Sequence, residues 1–496
     1  SSCLSAAPEA GFFCDYVVSY LRENGFTTDQ LDIGGYTIRT TLDPGASAAI
    51  KAAVERNVPA DENGVANTFA LIKPEDGGHQ VLAMVANRNL GTDAGAGEAS
   101  TNIVANASNV FGAGSSFKIF TTAAALEQGT VGFNTDLANP GAACFTPPVT
   151  NRYTHCYPVQ NDGEGYPDPI SLQNALATSP NVAFVNLESK VGMPAVLRMA
   201  QRLGLRHSLQ TNAAGGVPVT DPGDPLAHNP QYDEPQSRYF QNLLSFTLGV
   251  SPVSTLEMAN VSATLLAGGT WCPPSPILSM TDRYGRPAPV RQQPCEQVVS
   301  PALANTLLAG LSQDTVKGTS AAAARAAHWT RPDIGKTGTT NQSESVAFVG
   351  GVNGYAASSM LFADGTHPHE LCPGPPVHLG DCGHGAFGGT VAAPPYFQAM
   401  SQILGNQPAQ PVPGPDPHYL EAGNHGPVVP YTVGAPEQAA RDTLTKAGYP
   451  VWASPLSSGA PKGQVIGQTP QGNQPQGTPV TVYTSAGLTP TVAPSP

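Results

Sequence analysis

Apolar residues recur along the chain with two spacings, one typical of strands and one typical of helices. The strand spacing occurs at both ends of the first 400 residues. Alternating apolar and polar positions predict a strand over Tyr36–Leu42. Two apolar runs, Thr68–Ile72 and Gln80–Val85, flank a Pro/Gly turn and indicate a hairpin. Later runs predict strands at Ile334–Thr340, Ser345–Gly350 and Ala356–Phe362. We expect the hairpin and the late strands to share one antiparallel sheet.

Helical spacing dominates between those strand regions. Apolar positions predict helices at Ala46–Val54, Ser171–Ala177, Val182–Val191 and Pro301–Leu311. Another apolar run follows Lys118, and Ser254 with Glu257 has the spacing of a capping box. The pattern predicts an α+β fold with helical segments inserted between strands.

Composition shifts divide the chain. Residues 407–428 are rich in Pro and Gly and predict a linker after a main domain at 65–406. A small unit at 429–487 combines one helix, which ends near Gly448, with two short strands. We expect 1–64 to be a linker region before the main domain and 488–496 to be disordered.

Charge and cysteine content limit the classes of function. The net charge is −13 and no cluster of Lys or Arg is visible, which argues against a nucleic-acid partner. Eight cysteines form four local pairs, which predict disulfides in an oxidising compartment: Cys3/Cys14, Cys144/Cys156, Cys272/Cys295 and Cys372/Cys382. The alternative is zinc at Cys372 and Cys382, which lie among histidines, but no metal-ligand spacing supports it. We therefore expect no metal.

The stretch Gly112–Lys118 carries the first candidate chemistry. Two glycines precede Ser115, and Lys118 lies three residues after it at the start of the apolar run. On a helix these two side chains share a face, and a neutral lysine can remove the proton of a serine nucleophile. Alternatively, Ser115 only caps an ordinary helix.

Two further motifs follow in order, Ser179-x-Asn181 and Lys336-Thr337-Gly338. Each alone fits a helix start or a strand end. Together they resemble the motif set of the penicillin-recognising serine acyl-transferases, and the resemblance covers about residues 65–400. It implies a five-stranded antiparallel sheet flanked by helices, plus a helical subdomain.

The resemblance implies roles for individual residues. Ser115 would be acylated, Lys118 would act as base, and Ser179, Asn181 and Lys336 would complete the catalytic set. Thr337, Gly338, Thr339 and Thr340 would bind substrate, with Gly338 leaving room for it along the strand. The amides of Ser115 and Thr339 would form the oxyanion hole. No cofactor is implied.

The rest of the chain resembles a mycobacterial class A penicillin-binding protein. The segment around Tyr36–Val54 is similar to the piece that joins transglycosylase and transpeptidase, and 429–487 resembles a PASTA domain. The implied partners are peptidoglycan stem peptides ending in D-Ala-D-Ala and β-lactam antibiotics. We expect an extracytoplasmic protein whose membrane anchor and transglycosylase lie upstream of this sequence.

Several alternatives stay open. A D,D-carboxypeptidase or a serine β-lactamase carries the same motifs but transfers the acyl group to water. A non-catalytic sensor of β-lactams or muropeptides is a third hypothesis, for which the PASTA-like unit is the argument. Asp333 and Arg331, next to the third motif, are either catalytic or a surface ion pair.

Overall fold

The computed structural model describes residues 2–75, 77–146, 156–368, 371, 379, 386–423, 426–456 and 458–487. The expected Cys372–Cys382 disulfide and the expected disordered tail at 488–496 lie outside these residues. In the described part of the chain, no helix is long and apolar enough to cross a membrane. The other three expected disulfides are formed, at Cys3–Cys14, Cys144–Cys156 and Cys272–Cys295.

One central sheet organises the main domain. Its strands lie in the spatial order Ile334–Thr339, Ser345–Val352, Tyr355–Ala363, Val65–Glu75, Gly78–Ala86 and Pro274–Ser275. The first five pair antiparallel, as predicted, and unite the early hairpin with the late strands. The sixth is a two-residue strand that pairs in parallel and was not predicted. The Ile334–Thr339 strand therefore forms an open edge of the sheet.

Helices cover both faces of the sheet. The α-helices are Gly11–Glu23, Thr28–Ile33, Pro44–Asn57, Lys118–Glu127, Leu172–Thr178, Asn181–Val191, Met193–Leu203, Pro230–Asp233, Gln236–Tyr239, Thr255–Leu266, Pro301–Leu311, Asp314–Lys317, Ala321–Ala326, Ala393–Leu404 and Glu437–Lys446. Strand side chains alternate between two cores because successive residues point to opposite faces. Val346 and Phe348 join the core beneath the Pro44–Asn57 and Ala393–Leu404 helices, whereas Ala347 and Val349 join the core that contains Lys118–Glu127.

Four small antiparallel ladders join loops around this body. They pair Thr37–Thr40 with Ile277–Thr281, Asp136–Leu137 with Ile170–Ser171, Ala142–Phe145 with Tyr157–Gln160, and Thr270–Trp271 with Glu296–Gln297. The expected capping box is only half formed. The Ser254 hydroxyl accepts a hydrogen bond from Glu257 N, but the Glu257 carboxylate accepts hydrogen bonds from His207 N and Ser208 instead.

The region 1–64 is packed into the main domain, contrary to the expected linker. Phe12 and Phe13 are buried in the core, and the Pro44–Asn57 helix lies on the sheet. Lys51 Nζ donates hydrogen bonds of 2.9 Å to the carbonyl oxygens of Ala86 and Asn87. Apolar burial and these hydrogen bonds make the region part of the same folded body.

Residues 407–423 of the Pro/Gly-rich region are also docked along the main domain. Phe133 N and Asn134 N donate to the carbonyl oxygens of Tyr419 and Leu420, each at 2.8 Å. Tyr419 itself is 2% exposed, and burial raises the pKa of its hydroxyl to about 12. The Pro and Gly content correctly predicts an irregular backbone here. It does not reveal that this backbone packs against the main domain.

The C-terminal unit has its own core and a three-stranded sheet. The strands lie in the spatial order Val451–Leu456, Val480–Ser485 and Val465–Thr469, with the Glu437–Lys446 helix packed on them. Hydrogen bonds are among the contacts that join it to the main domain. Gln474 Nε2 donates to the carbonyl oxygen of Glu127, and Trp452 Nε1 donates to Gln297 O at 2.6 Å.

Candidate active site

Ser115 lies in a tight turn that leads into a buried helix. Residues Gly114–Phe117 form a 3-10 turn, and the Lys118–Glu127 helix continues from it. Gly114 has φ +56, and a Cβ there would lie 2.4 Å from Thr339 N, so only glycine lets the turn approach the edge strand so closely. Ser115 is half-buried, and its hydroxyl makes no hydrogen bond to any described residue.

Lys118 is fully buried one turn further on. Its Nζ donates to Ser179 O at 2.7 Å, to Ser179 Oγ at 3.2 Å and to Asn181 Oδ1 at 2.9 Å. Burial lowers the pKa of Lys118 well below its usual range, and the positive charge of Lys336 lowers this pKa further, whereas Asp162 opposes the shift. The sequence prediction of a neutral lysine beside Ser115 agrees with this environment.

Ser179 occupies a strained backbone position between two helices. It ends the Leu172–Thr178 helix with φ 67 and ψ 37, a left-handed conformation that is uncommon for serine. This conformation places the hydroxyl between two amines, because Lys336 Nζ donates to Ser179 Oγ at 2.8 Å. Ser179 therefore connects Lys118 with Lys336.

Lys336 is buried on the edge strand. Burial lowers the pKa of Lys336 to about 8, and the Asp314 carboxylate opposes the shift. At neutral pH, Lys336 is therefore mostly charged, whereas the environment of Lys118 favours its neutral form. Both lysines are buried, and the charge of Lys336 adds to the lowering of the Lys118 pKa.

Within the described residues, the edge strand offers an unpaired backbone amide beside Ser115. Thr340 N donates to Ser345 O at 2.9 Å, and Thr339 stands opposite Val346. Hydrogen-bonded and non-hydrogen-bonded pairs alternate in an antiparallel ladder. The Thr339 N–H consequently points away from the neighbouring strand, toward the turn that carries Ser115.

Thr337 of the third motif and the two threonines that follow the motif, Thr339 and Thr340, make different contacts. Thr337 Oγ1 is hydrogen-bonded to Thr319 Oγ1, and Thr339 Oγ1 accepts a hydrogen bond from Gly388 N at 3.1 Å. Thr340 is not presented as a substrate-binding side chain, because its hydroxyl exchanges hydrogen bonds with the Ser345 backbone.

Gly338 is needed for a reason other than the expected one. We expected its missing side chain to leave room for substrate. A Cβ at Gly338 would instead lie 1.8 Å from the Ala113 carbonyl oxygen. The glycine therefore lets the strand pack against the segment that precedes Ser115.

Three residues that support the site were not predicted from the sequence: Asp162, Thr319 and Asp314. Asp162 Oδ2 accepts a hydrogen bond from Asn181 Nδ2 at 3.2 Å. Thr319 Oγ1 donates to Asp314 Oδ1 at 2.6 Å and so links Thr337 to a buried carboxylate. No local motif marks these residues, since each reaches the site from a segment distant in sequence.

Asp333 and Arg331 do not form the expected surface pair. Arg331 donates to the carbonyl oxygens of Gly405 and Gln407. Asp333 is 2% exposed and accepts a hydrogen bond from Thr315 Oγ1 at 2.7 Å. Burial raises its pKa to about 8, so this carboxyl is mostly protonated at neutral pH.

A half-buried serine near a buried lysine whose pKa is strongly lowered can act as a nucleophile, and an edge strand with an unpaired amide can hold an extended peptide. Together with the sheet and its covering helices, this arrangement is that of the penicillin-binding protein transpeptidase fold. The chain belongs to the penicillin-binding protein transpeptidase family. The family model described as penicillin binding protein transpeptidase domain matches residues 68–352. The family model of the PASTA domain matches residues 427–486. Both predicted domain types are confirmed.

Known proteins with similar sequence or structure agree. Penicillin-binding protein 1A of Mycobacterium tuberculosis is 24% identical over 273 residues, which are 53% of this chain. The chain spans only 27% of that relative. The structure of PonA1 from the same organism superimposes with a TM-score of 0.62 at 20% identity, covering 86% of this chain and 100% of the chain in that structure. PonA1 in complex with penicillin V gives the same TM-score of 0.62 at 20% identity and covers 85% of this chain and 100% of that one.

A more distant structure shares the fold. Penicillin-binding protein 1A from Haemophilus influenzae superimposes with a TM-score of 0.57 at 16% identity. The match covers 81% of this chain and 72% of the chain in that structure. At these identities the structural likeness establishes the fold, and the roles of individual residues depend on the geometry above.

Proposed function

We propose that the protein is a D,D-transpeptidase that crosslinks peptidoglycan stem peptides through an acyl-enzyme on Ser115. The observation that carries this proposal is the hydrogen-bonded chain Lys118–Ser179–Lys336, in which burial and the charge of Lys336 favour the neutral form of the Lys118 amine, while the Lys336 amine is mostly charged. A neutral amine accepts a proton and a charged one binds a carboxylate. The acylation reaction needs both.

Acylation proceeds by attack of Ser115 Oγ on the carbonyl carbon of the penultimate D-Ala. Lys118 Nζ takes the hydroxyl proton as the new C–O bond forms. The C–N bond to the terminal D-Ala then breaks, and its nitrogen receives a proton through Ser179, which is hydrogen-bonded to Lys118. An acceptor amine next attacks the ester, forms the new amide and returns the proton to Ser115.

Substrate binding follows from the edge strand. An extended peptide lying along Ile334–Thr339 can pair with its open backbone edge. The amides of Ser115 and Thr339 stabilise the negative oxygen of the tetrahedral intermediate, where one donor is worth about 100-fold or more in rate. Lys336, Thr337 and Thr339 receive the terminal carboxylate. A β-lactam has a similar carbonyl and carboxylate, and a penicillin V complex of the structurally similar PonA1 supports its binding here.

The PASTA domain and the class A relative favour transfer to an amine over transfer to water. Among the described residues, no acidic side chain is hydrogen-bonded to Ser115 or Lys118, and Asp162 reaches the site through Asn181. Lys118 can act as base for either acceptor, so these contacts alone do not separate an amine from water. A β-lactamase or a carboxypeptidase is therefore the second candidate, and the complete set of reactive groups speaks against a non-catalytic sensor.

The setting of this reaction is also a proposal. The relative of which this chain covers 27% supports a longer class A protein in the cell envelope, with a transglycosylase and an anchor outside this sequence. The PASTA match at 427–486 supports a contact with cell-wall material or β-lactams, which we expect to be weak.

Product analysis tests the proposal. The protein is incubated with a synthetic stem peptide ending in D-Ala-D-Ala and with an amine acceptor, and products are identified by mass spectrometry. We expect a crosslinked dimer and released D-Ala, and no reaction with Ser115→Ala. Free acid without dimer would instead establish the carboxypeptidase.

A further inference from the structure

A cleft of about 230 Å³ lies between the main domain and the PASTA domain. None of the proposed catalytic residues lines it. One wall is the Met193–Leu203 helix, which contributes Arg198 and Arg202. The other wall is the face of the PASTA sheet formed by the strands Val451–Leu456 and Val480–Ser485.

The cleft holds one arginine whose charge is not compensated. Arg202 is bidentate to Glu127, with N–O distances of 2.7 and 2.8 Å. Arg206 is bidentate to Glu296, with distances of 3.2 and 2.8 Å. Arg198 has no carboxylate partner and no side-chain hydrogen bond within the described residues, and its Nε is buried. One unpaired guanidinium therefore faces the cleft.

Three hydroxyl groups line the cleft with Arg198. Ser454 stands beside Tyr483 in the parallel pairing of the two strands, which places both on the face that also carries Thr481. Across the described part of the chain, none of these three hydroxyls makes a hydrogen bond. The Arg198 guanidinium lies 5.7 Å from the Tyr483 ring centroid, so both belong to one small group.

We propose that this cleft binds one oxyanion, a phosphate or carboxylate group, between Arg198 and the hydroxyls of Ser454, Thr481 and Tyr483. A planar guanidinium and hydroxyl donors without acceptors match the oxygens of such a group. The volume suits a single charged group with a few attached atoms. Because its ligands come from both domains, the anion holds the PASTA domain against the Met193–Leu203 helix. The site is independent of the proposed acylation reaction.

Titration of the full chain with inorganic phosphate, and separately with acetate, tests this site. The ionic strength is held constant with sodium chloride, and the fluorescence of Trp452, which lines the cleft, and the thermal midpoint are followed. We expect saturable binding of at least one of the two anions, unchanged in Ser115→Ala. Arg198→Gln should weaken it at least about tenfold, whereas the matched control Arg325→Gln, at an exposed arginine, should not.

The two anions identify the source of the ligand. Binding of phosphate alone supports a phosphoryl group, such as a lipid headgroup, and binding of acetate supports a carboxylate, such as a peptide terminus. If Arg198→Gln does not fold, Tyr483→Phe, which removes one hydroxyl, should still weaken binding several-fold. The proposal is overturned by no saturable response to either anion, or by equal binding in wild type and Arg198→Gln.

Discussion

The alkaline pH dependence of acylation follows from the environment of Lys336. With a pKa of about 8, this amine is about nine-tenths charged at pH 7 and about one-tenth charged at pH 9. If the charged amine binds the substrate carboxylate, the second-order rate constant for acylation by a penicillin falls about tenfold between these pH values. Raising the pH can only increase the neutral fraction of Lys118, whose pKa burial lowers well below the usual value, so Lys118 does not cause this decrease. On the acid side, the rate falls only once the pH passes through that lowered pKa.

Stopped-flow acylation with a fluorescent penicillin between pH 6 and pH 10 measures this profile. A penicillin methyl ester, which lacks the carboxylate, serves as the matched control and should show a much smaller alkaline decrease. Lys336→Arg, if circular dichroism shows it folded, should move the decrease to higher pH because guanidinium stays charged. A rate constant that is level from pH 7 to pH 9 would refute the reasoning, as would an equal decrease for the methyl ester.

Three further predictions concern packing and burial. Asp333 has a folded-state pKa of about 8, so the free energy of unfolding decreases as the pH rises from about 4 to about 8. At pH 7 this decrease is at most about 4 kcal/mol. Asp333→Asn keeps an acceptor for Thr315, and urea unfolding should show its advantage over wild type growing between pH 5 and pH 7; a constant difference contradicts this. Gly338→Ala places a methyl group against the Ala113 carbonyl and should reduce penicillin acylation at least about 100-fold in stopped-flow assays, whereas wild-type rates would disprove the close contact. Tyr419→Ala should cost about 3 kcal/mol in the same urea assay, and an effect below about 1 kcal/mol would show that region 407–428 is not docked.

The sequence predicted the site better than its surroundings, because the three motifs are local patterns of residue types that also carry the chemistry. Ser115, Lys118, Ser179 and Lys336 could be named in advance for this reason. Asp162 and Asp314 could not, because they reach the site only when distant segments fold together. Thr340 was included by its proximity to Gly338 in the sequence, but the strand turns it toward Ser345.

The difference between local patterns and contacts of distant segments also explains which parts of the fold could be predicted. Alternating apolar residues predicted the strands of the sheet, since period-two patterning is local. The two-residue strand Pro274–Ser275 has no pattern of its own and forms only because it lies against Gly78–Ala86. Region 407–428 reads as a linker by composition, yet Tyr419 anchors it through burial that composition does not reveal.

The central claim is that Ser115 is the acylated residue, and covalent labelling with a fluorescent penicillin tests it directly. Ser116 provides the matched control, since it is adjacent and its buried hydroxyl makes no hydrogen bond to any described residue. We predict that wild type and Ser116→Ala are labelled, that peptide mass spectrometry places the adduct on Ser115, and that Ser115→Ala is not labelled. Labelling that persists in Ser115→Ala would contradict the account.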